Sequence, residues 1–65
     1  MTVTMGDWDW DDRFKVWLLS ATREVDGTRT TWTINGGFNA AERPDKARDA
    51  NSRAMLLATI EHDTL

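Results

Sequence analysis

Apolar residues recur with two different periods along the chain, and each period predicts a different element. From Arg13 to Val25 the pattern is that of a strand, with Phe14, Val16 and Leu18 on one face and Trp17, Leu19 and Ala21 on the other. Both faces of the 14–19 stretch are apolar, which predicts a central position in a sheet. Asp26-Gly27 follows at once. This dipeptide suits a two-residue hairpin turn because both positions take φ > 0. Thr28 to Asn35 supplies the return strand, with Trp32 and Ile34 sharing a face. Upstream, Thr2-Val3-Thr4-Met5 and Trp8-Asp9-Trp10 also have strand chemistry, broken at Gly6-Asp7. They predict a third strand, kinked at Gly6, that pairs with 13–25 through a turn near Asp11-Asp12.

Asn35-Gly36-Gly37 ends the sheet, and from about Asn39 the period lengthens. Ala47, Ala50, Ala54, Leu57, Ala58 and Glu61 recur at spacings of three and four, the stripe of an amphipathic helix. Pro44 suits its first turn, and Asn39 or a residue just before Pro44 serves as the cap. This phase leaves Leu56 on the solvent side, beside Asp49 and Ser52. The expected fold is α+β: a three-stranded antiparallel sheet with one C-terminal helix on one face, β-β-β-α, in a single domain spanning 1–65. One helix covers one sheet face, yet the chain carries four tryptophans and two phenylalanines. Some aromatic surface is therefore expected on the other face, where it marks a binding or oligomer contact.

Composition narrows the chemistry. With no cysteine, one histidine and no tyrosine, the chain lacks the usual means of building a disulfide frame, a thiolate metal site or a catalytic relay. Asp7, Asp9 and Asp11 open like a calcium loop, but Asp12 and Leu18 stand where that loop needs glycine and glutamate. His62 stands alone near the C-terminus, and Gly36-Gly37 lacks the lysine and hydroxyl residue of a phosphate loop. The expectation is a binding protein without cofactor or metal, not an enzyme. No apolar run approaches the roughly 20 residues that span a bilayer. Nor does the acidic N-terminus resemble a targeting segment, so the expected compartment is the cytoplasm.

Charge layout sharpens this. The net charge of −3 hides a segment, residues 1–12, with four carboxylates and no base. If 7–11 is extended, Trp8 and Trp10 point one way while Asp7, Asp9 and Asp11 point the other, roughly 6.5–7 Å apart. Like charges in a row repel, so folding alone gives no reason for them. Such a row resembles the phosphate track of a nucleic-acid strand and fits a groove lined by lysine and arginine. The helix bases Arg43, Lys46, Arg48 and Arg53 are interleaved with Glu42, Asp45 and Asp49. That is the pattern of a salt-bridged solvent face and argues against direct nucleic-acid binding.

Small size, lack of cysteine, acidity and β-then-α order resemble phage-encoded anti-CRISPR proteins directed at type I systems, some of which act as DNA mimics. MbtH-like proteins are similar in scale, but their Trp-Pro and Gly-Trp dipeptides are absent. The anti-CRISPR resemblance implies an inhibitor in the bacterial cytoplasm that blocks DNA recognition by a CRISPR effector complex. Asp7, Asp9, Asp11 and Asp12, with Glu24 and Asp26 at the hairpin turn, would face the basic DNA-binding surface of that complex. The alternative is an accessory module that binds a protein partner through Trp8 and Trp10. Mixed surface charge favours a monomer over a dimer in either case.

Overall fold

The computed structural model describes residues 1–37 and 39–64. It is an α+β fold: strands β1 (Thr2–Met5), β2 (Asp9–Asp11), β3 (Val16–Val25) and β4 (Thr28–Asn35), then helix α1 (Lys46–Thr64). The sheet is antiparallel with β3 at its centre, β4 along one side and both β1 and β2 along the other. The central place predicted for β3 from its two apolar faces is the observed one, although the strand starts at Val16 rather than Arg13.

The sheet has four strands rather than three because the N-terminal segment is divided by a bulge. Met5 pairs with Ala21 and Asp9 with Leu18. Gly6, Asp7 and Trp8 therefore lie opposite only Leu19 and Ser20, an extra residue that reverses side-chain parity. Gly6 suits this spot, since its N–H donates to the Ser20 carbonyl at 2.9 Å, and an added Cβ would sit 3.0 Å from that oxygen. Between β3 and β4 the Asp26-Gly27 turn is the expected one, with φ of 49° and 80° and Val25 opposite Thr28.

Asp45 caps α1: its Oδ1 accepts the Arg48 N–H at 2.9 Å, and its carbonyl accepts the Asp49 N–H at 2.8 Å. Pro44 thus stands just before the cap instead of inside the first turn. Asn39 takes a left-handed conformation in the connecting turn, with φ 60°. The buried stripe of the helix is Ser52, Leu56 and Ile60. This corrects the predicted phase, since Leu57 is 40% exposed and Ala47, Ala50, Ala54, Ala58 and Glu61 are also exposed. Bulk is the reason. Leu56 and Ile60 reach the sheet and fill space against Trp8, Leu19 and Ala21, whereas alanines facing inward would leave voids.

All four tryptophans register to the helix side. Trp10 lies opposite Trp17, and Trp32 opposite Ala21, while Trp8 is in the core with Leu19. The far face is not aromatic. It carries Thr2, Thr4, Ser20, Thr22, Thr31 and Thr33, with hydroxyl pairs Ser20–Thr33 at 2.9 Å and Thr22–Thr31 at 3.2 Å. The expectation of spare aromatic surface there is overturned because the bulge turns Trp8 and Trp10 toward the same side as Val3 and Met5. Phe38 lies outside the described residues. Among the described residues no helix is long and apolar enough to cross a membrane.

Candidate functional site

The bulge also divides the acidic row. Asp7 turns toward the helix: its Oδ1 accepts the Trp8 backbone N–H at 2.8 Å and lies 3.5 Å from Arg53 and 3.7 Å from Arg43. Asp9 and Asp11 register opposite Leu18 and Val16, on the open face. Asp11 has a local role, since its Oδ1 accepts the N–H groups of Arg13 and Phe14 at 2.9 and 3.1 Å and so holds the β2–β3 turn. Asp12 pairs with Lys15 at 2.7 Å. Glu24 pairs with Arg29 at 3.2 Å across the hairpin. Asp26 occupies the turn of that hairpin, at the opposite end of the sheet from Asp11. The six acids named from the sequence thus form no single patch. Asp9 and Asp11 share the open face, whereas Asp12 accepts the Trp10 indole N–H at 3.5 Å on the tryptophan side.

The two tryptophans named with them separate as well. Trp8 is 7% exposed, and its indole N–H donates to Asp49 Oδ1 at 2.6 Å. Asp49 also receives the Arg53 Nε–H at 2.9 Å, and Arg53 reaches back to the Gly6 carbonyl at 3.0 Å. Trp8, Asp49, Arg53 and Asp7 therefore form one polar seam that fastens the helix to the bulge. The indole hydrogen bond first, and that of Arg53 second, hold the Asp49 carboxyl below its ordinary 3.8; partial burial opposes them, and the charges of Arg53 and Arg43 add to the lowering.

A depressed folded-state pKa stabilises the fold at pH values above the unfolded value and is lost as pH falls through the folded one. Wild-type protein is therefore expected to lose stability toward urea through this group as pH falls below the ordinary carboxylate range. An Asp49→Asn variant, weaker at neutral pH, should show a shallower decline over the same fall in pH. Parallel urea midpoints for the two proteins check it, and identical slopes would remove Asp49 from the account.

Trp10 is placed differently. It is 36% exposed and meets Trp17 at 5.5 Å between ring centroids, tilted by 58°. Here Gly36, Ala40, Arg43 and Pro44, rather than the helix, lie against the sheet. Trp17 accepts the Gly36 N–H at its carbonyl and donates its own N–H to Ala40, and Pro44 packs at Gly36. The Arg43 guanidinium lies 5.2 Å over the Trp17 ring. In the adjoining turn Phe14 is 68% exposed, with Arg13 stacked on it at 5.4 Å. This end of the sheet gathers Trp10, Trp17, Phe14, Arg13 and Arg43, with Asp12 beside Trp10 and Asp9 and Asp11 on the opposite face. Trp17, Arg43 and Phe14 were not among the residues selected from the sequence. A readable signal for Trp17 was its parity with Leu19; Arg43 had none, because its stacking on Trp17 joins residues distant in sequence.

Among the described residues no cluster of three or more histidine, aspartate or glutamate side chains is arranged to hold a metal ion. No protein-family model matches the chain, and comparison with curated proteins and with solved structures finds no match.

Proposed function

We propose that the chain is a small binding module that docks a protein partner through the Trp10–Trp17–Phe14 end of its sheet. The observation that carries this reading is the aromatic surface of Trp10 and Phe14 left exposed at that end, bordered by charge of both signs. Aromatic residues and arginine are the side chains most often responsible for binding energy at protein interfaces, and a polar border is usual there. The N-terminal acids specify the partner's chemistry. Asp12 at the rim of Trp10, with Asp9 and Asp11 on the other face of the same strand, suits a partner whose apolar contact is edged by lysine and arginine.

A basic DNA-binding surface on a CRISPR effector complex meets that description, and the anti-CRISPR resemblance names it. Under this second reading the chain inhibits DNA recognition as an acidic mimic. What favours it is that Asp9 and Asp11 share the open face, two residues apart along an extended strand.

A single set of variants separates the readings: Trp10→Ala/Phe14→Ala, and Asp9→Asn/Asp11→Asn/Asp12→Asn. In the second, the side-chain amide oxygen introduced by Asp11→Asn can still accept the N–H groups of the turn. Each is used to capture proteins from a bacterial lysate at about 50 and 500 mM salt, conditions that differ strongly in electrostatic screening. The aromatic variant is expected to lose a discrete partner that the wild type keeps at high salt. Undiminished capture by a folded aromatic variant refutes the module reading. An effector complex that only the asparagine variant loses, and only at low salt, supports the mimic.

A further inference from the structure

We infer that the free edge of β4 joins a second copy of this chain, forming a two-fold dimer with a continuous sheet. In the strand order β4 pairs with β3 on one side only. The two-residue turn makes Val25 and Thr28 a hydrogen-bonded pair, and the Gly36 N–H bonds the Trp17 carbonyl at 2.9 Å. Alternation between these points directs the backbone groups of Thr30, Trp32 and Ile34 toward β3. Those of Arg29, Thr31, Thr33 and Asn35 point away from it. Eight residues of strand with no proline form a ready template for pairing.

The self-pairing register centred on Trp32 uses this whole edge. Thr31 then lies opposite Thr33 of the second copy, Arg29 opposite Asn35, and Trp32 opposite its own counterpart on the helix side. No like charges are opposed.

The helix layer fits the same symmetry. A groove of about 520 Å³ runs between β4 and α1, lined by Thr33, Ile34, Asn35, Arg48, Ser52 and Met55 among others. Met55 is 55% exposed beside it. Helix α1 packs across β3 and β4. A two-fold axis at the β4 edge therefore sets the two helices side by side on one face of the joined sheet. The flank turned toward the second copy carries Arg48, Asn51, Met55, Thr59 and His62 and no acid, at the spacing of one helix face.

The amount of surface agrees. The chain exposes 4708 Å², about 500 Å² more than a monomer of its mass usually shows. The molecule measures 36 × 24 × 15 Å, and pairing along one edge strand and one helix flank would bury on the order of 1,000 Å² in total, at the lower limit of specific pairs. Association should accordingly be reversible and micromolar.

Sedimentation velocity from about 1 to 500 μM, a range that brackets micromolar association, tests this with the protein alone. The wild type is expected to pass from monomer to dimer. Thr31→Pro removes an outward-pointing N–H, a position where an edge strand tolerates proline, and Met55→Glu brings charge to the helix contact. Each should raise the dissociation constant at least tenfold while circular dichroism stays native. If Thr31→Pro fails to fold, Met55→Glu decides. The Trp10→Ala/Phe14→Ala variant should dimerise normally, which separates this surface from the aromatic end. A monomer throughout the range, or a dimer that Met55→Glu leaves intact, overturns the inference.

Discussion

Replacing Leu56 with alanine is expected to remove about 2–5 kcal/mol of stability, the usual cost of a cavity where a large aliphatic side chain was buried. Leu56 is 1% exposed and packs with Ile60 against Leu19 and Trp8. A domain of this size has a total stability of roughly 3–10 kcal/mol. The substitution therefore consumes much of that stability and should leave a sizeable unfolded fraction near 37 °C. The control is the next residue. Leu57 is partly exposed, and Leu57→Ala should change stability by no more than about 0.5 kcal/mol. Urea unfolding of the pair reads the phase of the helix directly, because the alanine stripe of the sequence predicts the reverse order. A Leu57 effect larger than that of Leu56 would mean that the helix presents its other side to the sheet.

Trp8→Ala should be at least as damaging, by about 3–5 kcal/mol, the range for deletion of a buried aromatic side chain. In a domain of this size that corresponds to a fall in melting temperature of well over 10 °C. Two things are lost together. The indole fills the space between bulge and helix, and its N–H is the first partner of the Asp49 carboxylate. Trp8→Phe separates them by keeping most of the volume while removing the donor. It should destabilise less than alanine and let the Asp49 carboxyl rise toward its ordinary value, as followed by NMR titration. A Trp8→Phe protein with Asp49 still depressed would leave Arg53 as the dominant cause. Trp10→Ala, which loses a cross-strand aromatic contact but leaves the core intact, should lower the melting temperature less than Trp8→Ala and act on binding as well.

These expectations locate what the sequence made legible. Local chemistry was readable: Asp26-Gly27 gave the hairpin and its turn, two-sided apolarity placed β3 centrally, and the change of period placed one helix after the sheet. What escaped depended on the third dimension. The alanine stripe has the right period, but alanines would leave empty the space over Leu19 and Ala21 beside Trp8, so Leu56 and Ile60 turn inward to fill it. Asp49 and Ser52 looked like solvent residues. They lie on or beside the buried stripe because a tryptophan N–H and an arginine wait opposite Asp49. The acidic row failed for a different reason: even spacing in sequence becomes even spacing in space only without a bulge. A clue was present, since the inward residues are Val3 and Met5 before Gly6 but Trp8 and Trp10 after it, odd numbers changing to even. That parity change marks one inserted residue. It also moves Asp7 to its arginines, so the same event that completes the core breaks the charge track.

The interruption at Gly6–Trp8 has a further effect on how molecules of this chain meet. A sheet with two open sides invites head-to-tail stacking, in which the trailing strand of one copy pairs with the leading strand of the next and a filament grows without limit. Here one of the two sides is unsuited to that role. Its two short strands are offset by the extra residue, the Gly6 carbonyl is held by Arg53, and Asp7, Asp9 and Asp11 stand along it. Bulges, short strands and charge are the devices by which natural sheets deter edge-to-edge growth. With that side closed, addition at β4 can occur once and then has nowhere to continue, which keeps so small and threonine-rich a sheet from becoming fibrous.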